Sequence, residues 1–515
     1  MCDLDINKRN DLRQTSEKNF IPTLLKETAK GGGISFVGRI LGQFVRMITQ
    51  ILITRILGVE NYGLYALGQS ILQILRQVSM LGLQGGVVRY GVIFLGEGER
   101  GKLKGTILFA LVISTGFSIF TAITLYLISY DIAMQVFNKP SLVHVLHGIA
   151  IALPFFALLT IISFISRVFR RIDYSVAIQE VFHPIFVFIL IGFSFILGYK
   201  LIGAVYGFVL GTIITAVFSV LLLIRMFPEI YGGIKSVCKY KELMNFSFII
   251  LLVELSTILI NNIDRIVLGY FVSAKDIGRY SAAALVAIQI SVVLQSFNTV
   301  FSPLIADLYN KNALNQLNLV FKTVTKWIFT LTLPLFLIIV MFSDEVMNMF
   351  GRDFFSAGSI LVILACGQFV NASVGSVGYM LTMTGLQKIE MINGILGLIL
   401  NLILNYILVL HFGVVGVAMA TSISLAFLNI LRLLEVFLFI GIHPYKNSYF
   451  KPILSAFFCV VIWLVFNHFT EFNSLYVDLF MVSLMLIIYF GMIYIMGFDS
   501  EDNIILNELK IKIIK

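Results

Sequence analysis

Long apolar runs alternate with short polar breaks along almost the whole chain. The runs are about 20 residues long, which is the length a helix needs to cross a bilayer, and they lack the alternation of a strand. Because only helices and closed barrels satisfy their backbone hydrogen bonds in lipid, these runs are predicted to be transmembrane helices. The breaks divide them into fourteen candidate spans, at residues 34–57, 62–85, 105–128, 143–168, 173–197, 201–225, 243–268, 279–305, 320–342, 356–383, 389–411, 413–438, 450–468 and 475–497.

The composition agrees with an all-α protein that crosses the membrane many times. Of the 515 residues, 59% are hydrophobic and only 13% are charged, and the mean hydropathy is +0.96. A soluble chain of this length needs a far more polar surface. The sequence therefore excludes a soluble protein.

The Lys and Arg residues are unevenly placed around the spans, which predicts an orientation. With the amino terminus in the cytoplasm, 26 of the 37 fall in inner segments, 5 in outer loops and 6 within spans. Positive residues favour the cytoplasmic side, so both termini are expected to be cytoplasmic in a multi-pass protein of the cell (plasma) membrane. The net charge of +9 is then mainly a topology signal, with some attraction to anionic lipid and no implied nucleic-acid partner.

Part of the chain is duplicated. The stretch Ile53–Gly58 with Gly63–Tyr65 parallels Ile263–Gly269 with Gly278–Tyr280, at offsets of 210 to 215 residues. Because each half has an even number of spans, both would insert in the same orientation, as in transporters built from parallel repeats. The predicted organisation is a cytoplasmic tail (1–30), a first six-helix bundle (31–226), a cytoplasmic linker (227–242), a second six-helix bundle (243–440), two additional transmembrane helices (441–497) and a cytoplasmic tail (498–515).

Polar side chains form stripes on the first two helices of each half. In the first span, Arg39, Gln43, Arg46 and Gln50 recur at steps of four, three and four, which places them on one helical face. An arginine deep in a bilayer is costly and usually faces a water-filled cavity. Together with the stripes on spans two, seven and eight, this predicts a substrate-binding cavity between the halves, formed by Arg39, Gln43, Arg46, Gln50, Gln73, Arg76, Asn261, Gln295 and Asn298.

The chemistry of this set suits a phosphate joined to a glycan. Guanidinium groups bind phosphate in bidentate fashion and keep their charge at any physiological pH. Asn, Gln and Ser side chains offer both donors and acceptors to sugar hydroxyls. Structural pairing is the alternative role for the arginines, although spans one and two contain no Asp or Glu that would neutralise them.

Four further ionisable residues within spans are candidates for ion coupling, namely Glu254, Asp264, Glu180 and His183. For Glu254 and Asp264 the alternative is pairing with Arg265 or another nearby arginine. Glu180 and His183 lie about one helical turn apart, where they would form either a proton relay or a satisfied intramembrane pair. The cysteines show no paired spacing, so no disulfide framework, metal site or cofactor is expected.

Three short motifs and the duplicated spans together point to a known family. The motifs are Gly31-Gly32-Gly33-Ile34-Ser35-Phe36 with Arg39 and Gly42, then Thr54-Arg55-Ile56-Leu57-Gly58 before Tyr62-Gly63-Leu64-Tyr65, and Asp264-Arg265 before Gly278-Arg279-Tyr280. Over about residues 25 to 500 the chain resembles the Wzx-type polysaccharide and oligosaccharide flippases. These form the polysaccharide transporter branch of the multidrug, oligosaccharidyl-lipid and polysaccharide exporter superfamily.

The resemblance implies a transporter and not an enzyme. Its expected task is to move a polyprenyl-(di)phosphate-linked oligosaccharide from the cytoplasmic to the outer leaflet by alternating access, for cell-surface polysaccharide or glycan biosynthesis. The expected partners are this lipid-linked oligosaccharide, membrane lipid and a glycan polymerase or glycosyltransferases, with the chain acting as a monomer.

Three alternatives stay open. A lipid II flippase would share the cavity arginines, and a cation-coupled multidrug exporter would share the fold, although an arginine stripe would repel cationic drugs. A membrane glycan polymerase is the remote alternative. It would need a large outer loop or a soluble domain that carries carboxylates, whereas the longest outer loops here have only about 15 residues.

Overall fold

The computed structural model describes residues 3–230, 232, 235–237, 239–469 and 475–497, without the side chains of 3–37, 39, 40, 300, 447, 468, 469, 475 and 476. Within these residues the chain is helical and contains no β-strand. The α-helices are α1 (Asp3–Ser79), α2 (Leu83–Gly96), α3 (Arg100–Asp131), α4 (Leu142–Val168), α5 (Ile172–Val176), α6 (His183–Ile196), α7 (Leu201–Met226), α8 (Tyr240–Phe271), α9 (Ala274–Ala287), α10 (Val292–Asn310), α11 (Leu314–Met341), α12 (Ser343–Asn348), α13 (Gly358–Ser373), α14 (Val377–Met383), α15 (Gln387–Ile440), α16 (Phe450–Phe469) and α17 (Leu475–Ile495).

Two long helices each contain a glycine at which the backbone leaves helical geometry. Gly58 in α1 has φ 70° and ψ 173°, and Gly413 in α15 has φ 57° and ψ −132°. Glycine adopts such positive φ values without the steric cost that a Cβ would add. The two breaks lie where the sequence predicts the boundaries between spans one and two and between spans eleven and twelve.

Eleven helices in the described part of the chain are long and apolar enough to cross a membrane, or up to twelve if the bent pair Leu41–Ser79 and Leu83–Gly96 is one span. The predicted all-α, multi-pass membrane architecture is thereby confirmed. The count of fourteen spans stays a prediction.

One compact unit comprises Met1–Leu57 and Ile71–Leu255. Its apolar core is formed mainly by α2, α3, α4 and α7, with fully buried side chains such as Leu83, Ile107 and Ile162. Helix α4 is the most enclosed of these, because 67% of the residues in its most apolar stretch are buried inside the protein. The polar side chains of this unit are therefore held on a rigid apolar frame.

The other compact unit comprises Gly58–Ser70 and Ser256–Lys515. Its described residues include three apolar clusters, of which two are the larger. The first is built around Phe301, Phe321 and Met380, and the second, around Cys459 and Tyr489, holds α16 and α17 against α11. Cys366 and Cys459 are free thiols, whereas Cys2 and Cys238 lie outside the described residues.

The two copies of the duplicated motif contact each other within this second unit. A Cβ on Gly63 would overlap the carbonyl oxygen of Ala274, and a Cβ on Gly278 would overlap the carbonyl oxygen of Val59. Gly63 and Gly278 are equivalent positions of the internal repeat. Small residues at such a crossing let two membrane helices approach backbone to backbone.

We expect Gly63→Ala and Gly278→Ala each to lower the thermal unfolding midpoint of the detergent-purified protein by several degrees. The added methyl must displace backbone rather than a flexible side chain, and such overpacking costs about 1–3 kcal/mol. Gly192→Ala is the matched control, because nothing lies within 4 Å of the position a Cβ would take there. Equal midpoints for all three variants would contradict the close crossing.

Candidate functional site

The arginine face of α1 lies against the segment that links α5 to α6, within the first unit. A Cβ on Gly42 would overlap the carbonyl oxygen of Glu180, so the two backbones are in direct contact there. One turn further along α1, Nη2 of Arg46 donates to Oε2 of Glu180 over 2.8 Å. The side chain of Arg46 is still 44% exposed, which leaves guanidinium donors accessible to a ligand.

The other members of the first stripe are less informative. Gln43 is exposed and has a partner of its own, and Gln50 is half-buried. The side chain of Arg39 lies outside the described residues. Spans one and two contain no carboxylate of their own, but Glu180, from a segment distant in sequence, pairs with Arg46, which is the structural pairing kept open as the alternative role.

Glu180 and His183 do not form the expected pair. Residues Ala177–Phe182 adopt a π-helix, which places more residues in a turn and so rotates Glu180 away from the residue three positions on. Nε2 of His183 instead lies 3.2 Å from Oγ1 of Thr212, and its ring stacks on Phe156 at a centroid distance of 5.3 Å. The structure therefore offers no direct Glu180–His183 relay.

Arg76 lies inside the first unit, where Glu254 acts on its charge without forming a salt bridge. Its Nη1 is 3.4 Å from Oγ1 of Thr160, and its guanidinium lies 4.9 Å from the centre of the Phe156 ring. Its Nε is buried and has no hydrogen-bond partner within the described residues. Among the described residues, no carboxylate lies within salt-bridge distance of Arg76. Since Phe156 also stacks on His183, the Arg76 guanidinium and the His183 ring flank one aromatic side chain.

A carboxylate and two amides form a second polar group in the same unit. Glu254 on α8 accepts hydrogen bonds from Nε2 of Gln77, at 2.8 Å, and from Nε2 of Gln84. Both glutamines are buried. Its carboxylate also interacts electrostatically with Arg76 of the same unit, without forming a salt bridge. Gln73 is half-buried on the same helix as Gln77.

Asp264 is the centre of a buried network in the second unit. Its carboxylate accepts from the hydroxyl of Tyr280 at 2.6 Å, from the hydroxyl of Thr421 at 2.8 Å and from Nδ2 of Asn405 at 2.9 Å. The adjacent Arg265 donates its Nε to the hydroxyl of Ser281 over 3.2 Å. Asp264 is therefore held by neutral partners rather than by an arginine.

No group of three or more His, Cys, Asp and Glu side chains in the described part of the chain is arranged to hold a metal ion. Asn261, another predicted site residue, is exposed and donates to the carbonyl oxygen of Thr257 in its own helix. That local bond is typical of a polar residue on a helix surface.

The remaining two predicted residues share a cavity inside the second unit. Gln295 and Asn298 on α10 line a space of about 340 Å³. Arg432 and Glu390, both on α15, border the same space and pair through Nε of Arg432 and Oε2 of Glu390 at 2.9 Å and through Nη2 and Oε1. Glu390 and Arg432 were not among the predicted site residues.

The sequence did carry a signal for polar contacts along α15. Asn393, Gly397, Asn401 and Asn405 recur at steps of four along α15 and are all buried. Such a stripe marks a helix face that contacts other polar groups. Glu390 and Arg432 are also opposite charges in consecutive predicted spans, where an unpaired charge would be costly.

Comparison with models of protein families identifies the family of this chain. A model of a family described as polysaccharide biosynthesis protein matches residues 28–309, which is more than half of the chain. The chain belongs to this polysaccharide biosynthesis family. A second model, MatE, matches residues 250–407. The predicted relationship to the polysaccharide transporter branch of the exporter superfamily is confirmed.

Relatives by sequence include archaeal membrane proteins. The chain is 30% identical over 170 residues to a probable low-salt glycan biosynthesis flippase, Agl15, of Haloferax volcanii, a match that spans 33% of this chain and 36% of that protein. The chain thus matches only about a third of the length of this relative. It is 20% identical over 416 residues to an uncharacterized membrane protein of Methanocaldococcus jannaschii, covering 77% and 81% of the two chains.

Solved structures show the same fold. The lipid II flippase MurJ in an inward closed conformation aligns with a TM-score of 0.71 at 17% identity, over 91% of this chain and 98% of that one. An inward-facing multidrug resistance transporter of the MATE family aligns with a TM-score of 0.65 at 14% identity, over 79% and 98%. The fold is that of transporters of this superfamily.

Proposed function

We propose that this protein moves a polyprenyl-(di)phosphate-linked oligosaccharide from the cytoplasmic to the outer leaflet of the cell membrane by alternating access. Membership of the polysaccharide biosynthesis family and the likeness to a glycan biosynthesis flippase support this assignment. The observation that carries it is Arg76, a half-buried guanidinium whose Nε has no hydrogen-bond partner and which forms no salt bridge within the described residues, although Glu254 acts on its charge. A permanent charge so placed favours an anionic ligand.

The two arginines of the first unit would act on the phosphate in different ways. Arg76 is held by Thr160 and by the Phe156 ring, so its position is fixed before a ligand arrives. Arg46 is half exposed and paired with Glu180. A phosphate would compete with Glu180 for Arg46, and charge-assisted bonds from guanidinium to phosphate are among the strongest hydrogen bonds available.

The proposal also includes an orientation with both termini in the cytoplasm. The protein would act as a monomer, and it would contact a glycan polymerase or glycosyltransferases. In this orientation the carrier lipid stays in the bilayer and only the phosphate and sugars pass through protein. The distribution of Lys and Arg supports the orientation.

Asp264 is the proposed site of ion coupling. It is a buried carboxylate surrounded by hydroxyl and amide groups, and Oδ1 of Asn405 beside it is buried without a partner. Oxygen ligands of this kind suit a hard monovalent cation, and the carboxylate alone would suit a proton. Glu254 is the second candidate, since only amides are seen to bond it.

The test is translocation of lipid-linked oligosaccharides, extracted from the cells that make this protein, in proteoliposomes. The wild-type protein is expected to move them between leaflets, as read by accessibility of the sugar to an impermeant reagent. Arg46→Ala is expected to abolish this movement and Arg46→Lys to retain part of it, because lysine keeps the charge but loses the planar fork.

Two results would contradict the proposal. Failure of the wild-type protein to move the lipid-linked pool would remove the flippase assignment. Wild-type activity in Arg46→Ala would remove Arg46 from the site and leave the assignment to depend on Arg76.

A further inference from the structure

We propose that the cavity of the second unit is a binding site for uncharged sugar rings of the glycan, separate from the arginines that would bind the phosphate. This inference deepens the proposed function and rests on it for the identity of the ligand. At about 340 Å³ the cavity is at the lower end of the range of small-molecule sites, about 300–1,000 Å³, which suits part of a glycan rather than the whole.

The cavity contains buried polar atoms that lack a partner. Asn298 and Ser376 are among its lining residues, and Oδ1 of Asn298 and Oγ of Ser376 have no hydrogen-bond partner within the described residues. Asn298 is only 8% exposed and Ser376 only 2%. Leaving a buried polar group unpaired costs about 1–3 kcal/mol, so such groups usually have a ligand or water. Here two of them belong to the wall of the same cavity.

The charged groups of the cavity balance each other. Arg432 and Glu390 are the charged residues of its lining, and their two-point contact leaves the cavity with no formal net charge. An anionic ligand would find no uncompensated cation there, in contrast to the surroundings of Arg76. Hydroxyl and acetamido groups, which donate and accept, match amide, hydroxyl and paired charged side chains.

The local backbone helps to form this site. The helical course breaks between α13 and α14, where Gly375 has φ 72° and a Cβ would overlap the side chain of Thr325. This break places Ser376 in the wall of the cavity together with Asn371, which lies in the last turn of α13. Interrupted membrane helices of this kind are tolerated where they line a cavity.

The test uses the glycan without its carrier. Mild acid releases the oligosaccharide from the lipid-linked pool as a neutral sugar, and saturation-transfer NMR reads its contact with the full-length protein in detergent. We expect the wild-type protein to transfer saturation to the free glycan. Asn298→Leu and Ser376→Ala are each expected to weaken its binding roughly three- to tenfold, since each removes one uncharged hydrogen-bond partner.

Asn262→Leu is the matched control. Asn262 lies on α8 in the same unit, outside the cavity lining, and its amide bonds only within its own helix, to the carbonyl oxygen of Ile258 at 2.9 Å. This variant should bind the glycan like the wild-type protein. If Asn298→Leu fails to fold, Ser376→Ala carries the test, because it removes a single oxygen atom.

The outcomes separate this inference from the proposed function. Full binding of the free glycan in both cavity variants, or no binding in the wild-type protein while the lipid-linked pool is still translocated, would overturn the sugar site and leave the flippase assignment intact. Binding that is lost in both cavity variants, in a wild-type protein that translocates nothing, would support the sugar site and contradict the flippase assignment.

Discussion

Arg76→Gln is expected to slow translocation of the lipid-linked oligosaccharide about 100-fold or more in proteoliposomes. Each charge-assisted hydrogen bond contributes about 1.5–3 kcal/mol, and glutamine can replace neither the charge nor the fork of donors. Arg76→Lys keeps the charge, so its translocation rate should lie between those of the wild-type protein and Arg76→Gln. The measurement is the initial rate at which labelled sugar becomes accessible to an impermeant reagent.

Arg225→Gln provides the matched control for this experiment. Arg225 lies in the last turn of α7, in the same unit as Arg76, and is exposed. The same substitution there should leave the rate unchanged. If Arg76→Gln and Arg225→Gln are equally monodisperse and Arg76→Gln translocates at the wild-type rate, the Arg76 guanidinium has a structural role and does not bind the substrate.

The distinction matters because a buried arginine has two physical explanations. A structural arginine is normally neutralised, as Arg432 is by Glu390. Arg76 has instead a hydroxyl, an aromatic face and a longer-range electrostatic interaction with Glu254, and its Nε has no hydrogen-bond partner within the described residues. A phosphate would supply the direct anionic contact that this guanidinium lacks, which is the physical basis of the proposed phosphate site.

The apolar runs were sufficient to predict the membrane architecture. Backbone hydrogen bonding in lipid allows few structures, so run length alone identifies helices. The breaks at Gly58 and Gly413 could also be predicted from the sequence, because each lies at the boundary between two such runs. The bounds of some segments could not be predicted, for example the continuation of the second span into α2. The bend of 42° between the two helices there depends on packing.

The partners of the polar residues were much less predictable. Helical spacing places Arg46 on the face of α1, yet it cannot tell that Gly42 brings Glu180 into contact from 138 residues away. The π-helix at Ala177–Phe182 then decides which way Glu180 points. Long-range pairing depends on helix approach, and a single sequence contains no direct measure of it.

The pairing of Asp264 shows the same limit. Its neighbour in sequence, Arg265, was the natural partner to expect, but adjacent residues on a helix point about 100° apart. In the structure, Asp264 accepts hydrogen bonds from residues of α9 and α15, and Arg265 donates a hydrogen bond to Ser281. The periodicity of the sequence could predict which face of its helix carries Asp264, but not which other helix packs against that face.

Asp264→Asn is expected to remove the dependence of translocation on an ion gradient. The substitution keeps the shape and size of the side chain but removes the charge that would bind a cation or a proton. With the membrane potential clamped at zero, so that the charge of the substrate itself does no work, a tenfold gradient of the coupling ion supplies about 1.4 kcal/mol and would sustain a roughly tenfold imbalance of substrate between the leaflets. The wild-type protein should approach such an imbalance under the imposed ion gradient, and the variant should only equilibrate the substrate.

The size of this effect separates coupling from simple loss of structure. Replacing the carboxylate by an amide leaves Tyr280 and Thr421 with an acceptor at Oδ1 of the new side chain, so the network can persist, with one of its hydrogen bonds reversed or lost. A destabilised protein would lose translocation in both directions, whereas an uncoupled one would retain downhill exchange and lose accumulation. Accumulation that persists in Asp264→Asn would place the coupling ion elsewhere, and Glu254→Gln would then be the variant expected to abolish it.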